Sequence, residues 1–295
     1  MSSRKFSFVQ LDVFTSRALE GNQLAVFGDA RGLSDEEMQK LARETNLSET
    51  TFIFPREPEV ERREGHKVRI FTVQEELPFA GHPTLGTAWH LRQTHGGDEI
   101  VLDLKVGRIP VRFEQRDGLL FGEMRQAEPK FGARHSHQEV ARAIGVNTSE
   151  LDESLPIQTV STGFPFTMVP FRSLQTLKNL AVSWPQVAAY MNAHQGCGFL
   201  YMVSREAENA GATLHARMFF YNGEDPATGS AAGCCTAWAV RHGVLEPEKQ
   251  GLIEQGSETR RPSFIFIRAD RSGDVVTNVR VGGNVVQVIN GEVTL

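Results

Sequence analysis

Three cysteines in 295 residues, two of them adjacent at Cys234 and Cys235, exclude a disulfide framework. The count is odd, neighbouring cysteines do not bridge in ordinary geometry, and no C-x-x-C spacing offers zinc a ligand set. All three read as reduced packing residues. No apolar run reaches membrane-spanning length, and Met1 to Phe6 enters a strand pattern without a signal region, which predicts a cytoplasmic protein. An excess of positive charge is missing as well. With a formal net charge of −5 and both signs interspersed, nucleic acid and anionic membrane are poor partners. What remains, 40% hydrophobic and 23% charged residues, is an ordinary globular composition in a chain long enough for two lobes with a core each.

The stretch Glu224-Asp225-Pro226-Ala227-Thr228-Gly229-Ser230-Ala231-Ala232-Gly233 couples a carboxylate, a glycine turn and a hydroxyl to an apolar run ending at Val240. It predicts a loop feeding a buried helix, with Ser230 near the start and Gly243 as the stop. Free backbone N–H groups at such a start suit an anion. Gly81-His82-Pro83-Thr84-Leu85-Gly86-Thr87-Ala88-Trp89 has the same design, with Pro83 expected at the first helical position. Thr87-Ala88-Trp89 recurs as Thr236-Ala237-Trp238 at an offset of 149, and Arg69-Ile70-Phe71 as Arg217-Met218-Phe219 at 148. Phe52-Ile53-Phe54 matches Phe199-Leu200-Tyr201 at 147. Matches in one order at half the chain length predict a duplicated lobe. The boundaries are expected at residues 1–125 and 126–295, with the last strand free to cross back to the first lobe.

Ser34-Asp35-Glu36-Glu37 predicts a capping box opening a helix. Glu49 follows on a short loop entering an apolar strand. It is either a solvated loop residue or a carboxyl held against a hydrophobic wall, where it would serve as a general acid or base. Asn22 beside Gly21 reads as turn chemistry or as a ligand contact. His82 is a buried helix-start residue or a site group. Residues 55–67, charged and Pro-containing, read as a surface loop without chemistry, and 126–137 as an irregular connection. Its His135 and His137 lack the partners of a metal set. By the offset of 147, the counterpart of Glu49 falls at Gly196, so the carboxylate is not duplicated. If the lobes pack about a pseudo-twofold axis, both helix starts meet in one cleft, with Glu49 from one side and Asp225 from the other.

At Gly21-Asn22-Gln23-Leu24-Ala25-Val26-Phe27, Leu47-Ser48-Glu49-Thr50-Thr51-Phe52, Glu76 to Ala88 and Glu224 to Gly233, the sequence resembles the PhzF isomerase family of phenazine biosynthesis. The resemblance implies an α+β fold of two pseudo-symmetric lobes, each a curved sheet or barrel wrapped around a central apolar helix, as in diaminopimelate epimerase. It also implies a homodimer and a cofactor- and metal-independent isomerisation of trans-2,3-dihydro-3-hydroxyanthranilate. Glu49 matches the family's proton-moving carboxyl, and His82, Asp225 and Ser230 match groups that hold the substrate's carboxylate, amine and hydroxyl. Gly81 and Gly229 would bring backbone N–H groups to that carboxylate. Arg260 stands where the family often has Gly, and Gln23 where Pro is common, so the substrate is left open. Three other readings compete: an amino-acid racemase or epimerase with two opposed thiols, a dehydratase acting on a small hydroxy acid, and a non-catalytic ligand-binding protein. The first lacks cysteines at about Ala80 and Asp225 to Ala227, where its thiols belong.

Overall fold

Two helical stretches without a polar face set the architecture: every residue of Gly81–Ala88 and of Ala231–Val240 is buried. A helix buried on all sides needs neighbours all round it. The computed structural model describes residues 3–221 and 223–295. It divides into two units, one running to Arg125 and including Gly282–Leu295, the other Gln126–Val281.

The first unit contains β1 (Lys5–Val13), β2 (Asn22–Phe27), α1 (Asp35–Thr45), β3 (Glu49–Phe54), α2 (Pro58–Glu64), β4 (His66–Phe71), β5 (Glu76–Leu77), α3 (Gly81–His95), β6 (Glu99–Leu104), β7 (Gly107–Arg116) and β8 (Leu119–Arg125). The second contains β9 (Lys130–His135), α4 (His137–Ile144), β10 (Ile157–Ser161), β11 (Pro165–Phe171), α5 (Leu174–Lys178), α6 (Trp184–Ala193), β12 (Phe199–Ser204), β13 (Leu214–Phe220), β14 (Gly223–Glu224), α7 (Gly229–Arg241), β15 (Gly251–Gln255) and β16 (Ser263–Ser272). The final strand, β17 (Val275–Thr294), counts with the second unit up to Val281 and with the first from Gly282.

In the first unit, strands β1, β2, β3, β4, β6, β7, β8 and β17 pair in that cyclic order and close a barrel. The β2–β3 and β4–β6 pairs are parallel and the other registers given are antiparallel. Helix α3 fills the barrel, touching β1, β2, β3, β6, β7 and β8. Its depth depends on small residues: a Cβ on Gly86 would stand 2.6 Å from Leu24 Cδ2 and 2.9 Å from Val13 Cγ2. The hydroxyls it buries are satisfied, Thr84 by the Ala80 carbonyl at 2.7 Å and Thr87 by Thr51 of β3 at 2.8 Å.

The second unit runs β9, β10, β11, β12, β13, β15, β16, again with the pairs β11–β12 and β13–β15 parallel. Helix α7 packs on β10, β11 and β16. The repeated Arg-x-Phe has a physical cause. Arg69 clamps both oxygens of Glu76 at 2.8 Å with its guanidinium 5.1 Å from the Phe71 ring centre. Arg217 clamps Glu224 at 2.7 and 2.8 Å and lies 4.8 Å from the Phe219 ring centre.

The differences from the sequence reading are local. The stretch read as a loop over 55–67 contains α2, and the connection 126–137 contains β9. Helix α3 starts at Gly81, so Pro83 sits at its third position, where a missing N–H still costs no helical bond. The residue opening β12 is Phe199, so an aromatic side chain, and not Gly196, stands at the strand start that Glu49 has in β3.

Candidate active site

In the first unit the candidate groups converge where β2 and β3 begin. Gly21 adopts φ +70°, and a Cβ there would meet the Val13 carbonyl oxygen at 2.4 Å, so only glycine lets the chain turn into β2 with Asn22 buried. Parallel pairing sets Leu24 opposite Glu49, the first residue of β3. His82, the second residue of α3, is 3% exposed and reaches both. Its Nε2 lies 3.4 Å from Glu49 Oε2, and its Nδ1 lies 3.2 Å from Asn22 Nδ2. The Glu49 side chain keeps 15% of its surface exposed. Burial pushes His82 down to about 3, against a smaller opposing effect of a backbone hydrogen bond at Gln23, so the imidazole is neutral at physiological pH.

In the second unit Asp225, also buried, is positioned by a chain of hydrogen bonds. Tyr201 Oη donates to Gln255 Oε1 at 2.9 Å, and Gln255 Nε2 donates to Thr228 Oγ1 at 3.0 Å and to the Asp225 carbonyl at 2.7 Å. Thr228 Oγ1 in turn donates to Asp225 Oδ2 at 2.6 Å. Gly229 opens α7, its carbonyl taken by Gln126 Nε2 at 2.9 Å, and half-buried Ser230 follows. A Cβ on Gly233 would fall 1.8 Å from Gln126 Oε1, so this glycine makes room for the glutamine. Sequence reasoning missed Tyr201, Gln255, Thr228 and Gln126. Thr228 alone carried a signal, lying inside the stretch already singled out.

The helix ends differ in a way that bears on ligands. Ser34, Ser136 and Ser173 cap α1, α4 and α5 with side-chain hydrogen bonds, whereas Ala80 and Thr228 give α3 and α7 none, and α2 and α6, which open with Pro in the first turn, have none either. At Thr228 the hydroxyl is committed to Asp225 instead. Both buried helices thus start without a side-chain cap, at Gly81 and Gly229, the arrangement in which backbone N–H groups accept an anion. The cysteines offer no nucleophile. Cys234 and Cys235 are fully buried, and burial pushes the Cys234 thiol up to about 11 and that of Cys235 higher still. Among the described residues no helix is long and apolar enough to cross a membrane.

A family model described as phenazine biosynthesis-like protein, PhzC-PhzF, matches residues 11–291. The trans-2,3-dihydro-3-hydroxyanthranilate isomerase of Pseudomonas chlororaphis is 36% identical over 293 residues, 98% of this chain and 99% of its own. Among solved structures, a PhzF-family phenazine biosynthesis protein of Bacillus anthracis is 26% identical with a TM-score of 0.86, covering 99% of this chain and 100% of that one. A hydroxyproline epimerase of Agrobacterium vitis shares the fold at 13% identity, with a TM-score of 0.68 over 100% of this chain and 93% of its own.

Proposed function

Because this chain belongs to the phenazine biosynthesis-like PhzC-PhzF family and is an isomerase, we propose that it moves a proton between two carbons of a small carboxylic acid similar to trans-2,3-dihydro-3-hydroxyanthranilate. Glu49 is the acid/base group. The observation that carries this reading is the buried pair it forms with His82, 3.4 Å apart. An imidazole pushed down to about 3 is too weak a base to take up a second proton at neutral pH, so a proton leaving carbon goes to the Glu49 carboxylate. His82 is then a neutral hydrogen-bonding partner that orients the carboxyl, itself steadied by Asn22.

The cycle balances within one carboxyl group. Glu49 takes the proton as the C–H bond breaks, and the electron pair delocalises into the adjacent unsaturated system. The same carboxylic acid returns the proton to a second carbon, leaving no net change in charge or oxidation state. In the first unit the start of α3 at Gly81 suits a carboxylate, and in the second the start of α7 at Gly229 with Ser230 suits a carboxylate and Asp225 an amine. No step calls for a cofactor or metal. The enzyme acts as a homodimer in the cytoplasm.

The test is proton NMR of trans-2,3-dihydro-3-hydroxyanthranilate in deuterated water with wild type and Glu49→Gln side by side. Isomerised product from wild type alone, with label at the reprotonated carbon, is expected. Turnover by Glu49→Gln at the wild-type rate would remove the carboxyl from the mechanism. No conversion by wild type would reject this substrate and move the same measurement to other small amino and hydroxy acids.

A further inference from the structure

The charged stretch that reads as a plain surface loop brings together three groups that the proposed isomerisation does not use. Helix α2 ends at Gly65, which adopts φ +92° and whose N–H bonds the Glu61 carbonyl at 2.8 Å. A Cβ there would meet the Val101 carbonyl oxygen at 2.6 Å, so the close reversal is open to glycine alone. It turns His66, the first residue of β4, back onto the face of Glu61. One carboxylate oxygen, Glu61 Oε1, accepts the Arg56 backbone N–H at 3.1 Å, and the other, Oε2, faces His66 Nδ1 at 3.3 Å. His95, the last residue of α3, completes the group, its ring centre 4.7 Å from that of His66.

His66 Nδ1 is buried without a hydrogen-bond partner, although the carboxylate oxygen is within reach. The donor atoms of Glu61, His66 and His95 lie within 4.8 Å of one another. Three ligands at zinc distances of ~2.0–2.1 Å, arranged tetrahedrally, stand roughly 3.3 Å apart. The Glu61–His66 edge already has that length, and exposed His95 is free to close the remainder. The nearby cation is committed elsewhere, since the Arg56 guanidinium pairs with Glu64 and Asp103.

We propose that Glu61, His66 and His95 form a binding site for a divalent transition-metal ion of the zinc class, with water in the fourth position, tying α2 to the C-terminal end of α3. Two imidazoles and one carboxylate suit zinc and its neighbours, whereas calcium and magnesium prefer oxygen donors. His82 and His95 sit near opposite ends of α3, roughly 20 Å apart along a helix of this rise. The site is therefore separate from the Glu49 pair.

The experiment is equilibrium dialysis of untagged full-length protein against Zn²⁺ at pH 7.5, with Mg²⁺ as the control ion. Variants His95→Ala and Glu61→Gln are run alongside His194→Ala, a histidine of the second unit. One equivalent of zinc, weakened at least ~10-fold by His95→Ala and by Glu61→Gln, untouched by His194→Ala and not matched by magnesium, is the expected result. His95 is exposed, so its loss leaves the fold intact, and thermal melts should show a zinc-dependent rise in wild type that is absent in His95→Ala. No saturable zinc binding, or binding that survives both His95→Ala and Glu61→Gln, would overturn the assignment.

Discussion

The two units repeat a scaffold and differ in what they attach to it. Both place parallel pairs at the same steps of their strand order, both bury a helix with an uncapped start, and both clamp a glutamate with an arginine stacked on phenylalanine. Around the start of α3 stands a carboxyl against a neutral imidazole, Glu49 and His82. Around the start of α7 stands a carboxyl fixed by a threonine, a glutamine and a tyrosine. The two units share the parts that hold a helix in a sheet and differ in the residues at the helix start. Proton transfer needs one carboxyl that can give and take a proton, and a second group that only holds the substrate. The proposed roles of Glu49 and Asp225 follow that division.

The largest expected effect separates those two roles. Glu49→Gln should lower the turnover rate by ~10²–10⁴ while leaving substrate binding within a few-fold, because it removes the proton carrier. Asp225→Asn should instead weaken binding and turnover together. Single-turnover kinetics with a binding isotherm distinguishes the two, and equal loss of binding in both variants would erase the distinction.

Next come the two arginine clamps. Arg217 is 5% exposed and also donates to the Leu177, Lys178 and Leu180 carbonyls, so Arg217→Met leaves those three carbonyls and the half-buried Glu224 without their cation. A loss of roughly 3–5 kcal/mol is expected. Arg69 has a side chain 21% exposed, and Glu76 keeps a second cation in Lys105 at 2.8 Å, so Arg69→Met should cost about 1 kcal/mol. Urea unfolding measures both, and equal costs would mean that burial does not separate the clamps.

The units also hold histidines of opposite temper. His215 sits between Glu254 and Glu258, with Nδ1 2.7 Å from one carboxylate and Nε2 3.0 Å from the other. Burial opposes its charge, but the two hydrogen bonds prevail and push it up to about 9. Its folded pKa lies above the unfolded value of ~6.5, so its contribution is complete below pH ~6.5 and is lost as pH rises through about 9. His82 has the reverse sign: neutral when folded down to about 3, it costs nothing above pH ~6.5 and destabilises the fold as pH falls below that. In urea midpoints followed from pH 5 to 10, His215→Gln should flatten the alkaline limb and His82→Gln the acid limb. An unchanged limb in either variant would sink that assignment.

The smallest effect belongs to a cap. Ser34→Ala removes one half of a reciprocal capping box with Glu37 and should cost about 1 kcal/mol, with no change in turnover.

That capping box was legible because its signal is local: a serine, a glutamate three residues on, an apolar period after them. The buried helices were legible for the same reason. Helix α2 was obscured by its composition, since Pro58–Glu64 buries no residue and carries no apolar stripe. Strand β9 was hidden because, among mostly exposed residues, it presents no alternation to read. Of the candidate site, Asn22, Glu49, His82, Asp225 and Ser230 stand out in the chain. The 3.4 Å between Glu49 and His82 does not, because it depends on parallel pairing of β2 with β3 and on the depth that Gly86 allows α3. Gln255 and Tyr201 were invisible, being polar groups inside strands whose neighbours advertise only burial.

Strand β17 carries a consequence for the order in which the molecule is made. Lys5 to Val13 wait for partners between Val285 and Thr294, nearly the full length of the chain away. On the ribosome the second unit has all its residues once Val281 has emerged, whereas the first, although begun earlier, holds an open edge at β1 until Val285 to Thr294 have emerged as well. The half synthesised first is the half that closes last, and β1 is the edge exposed to mispairing while it waits.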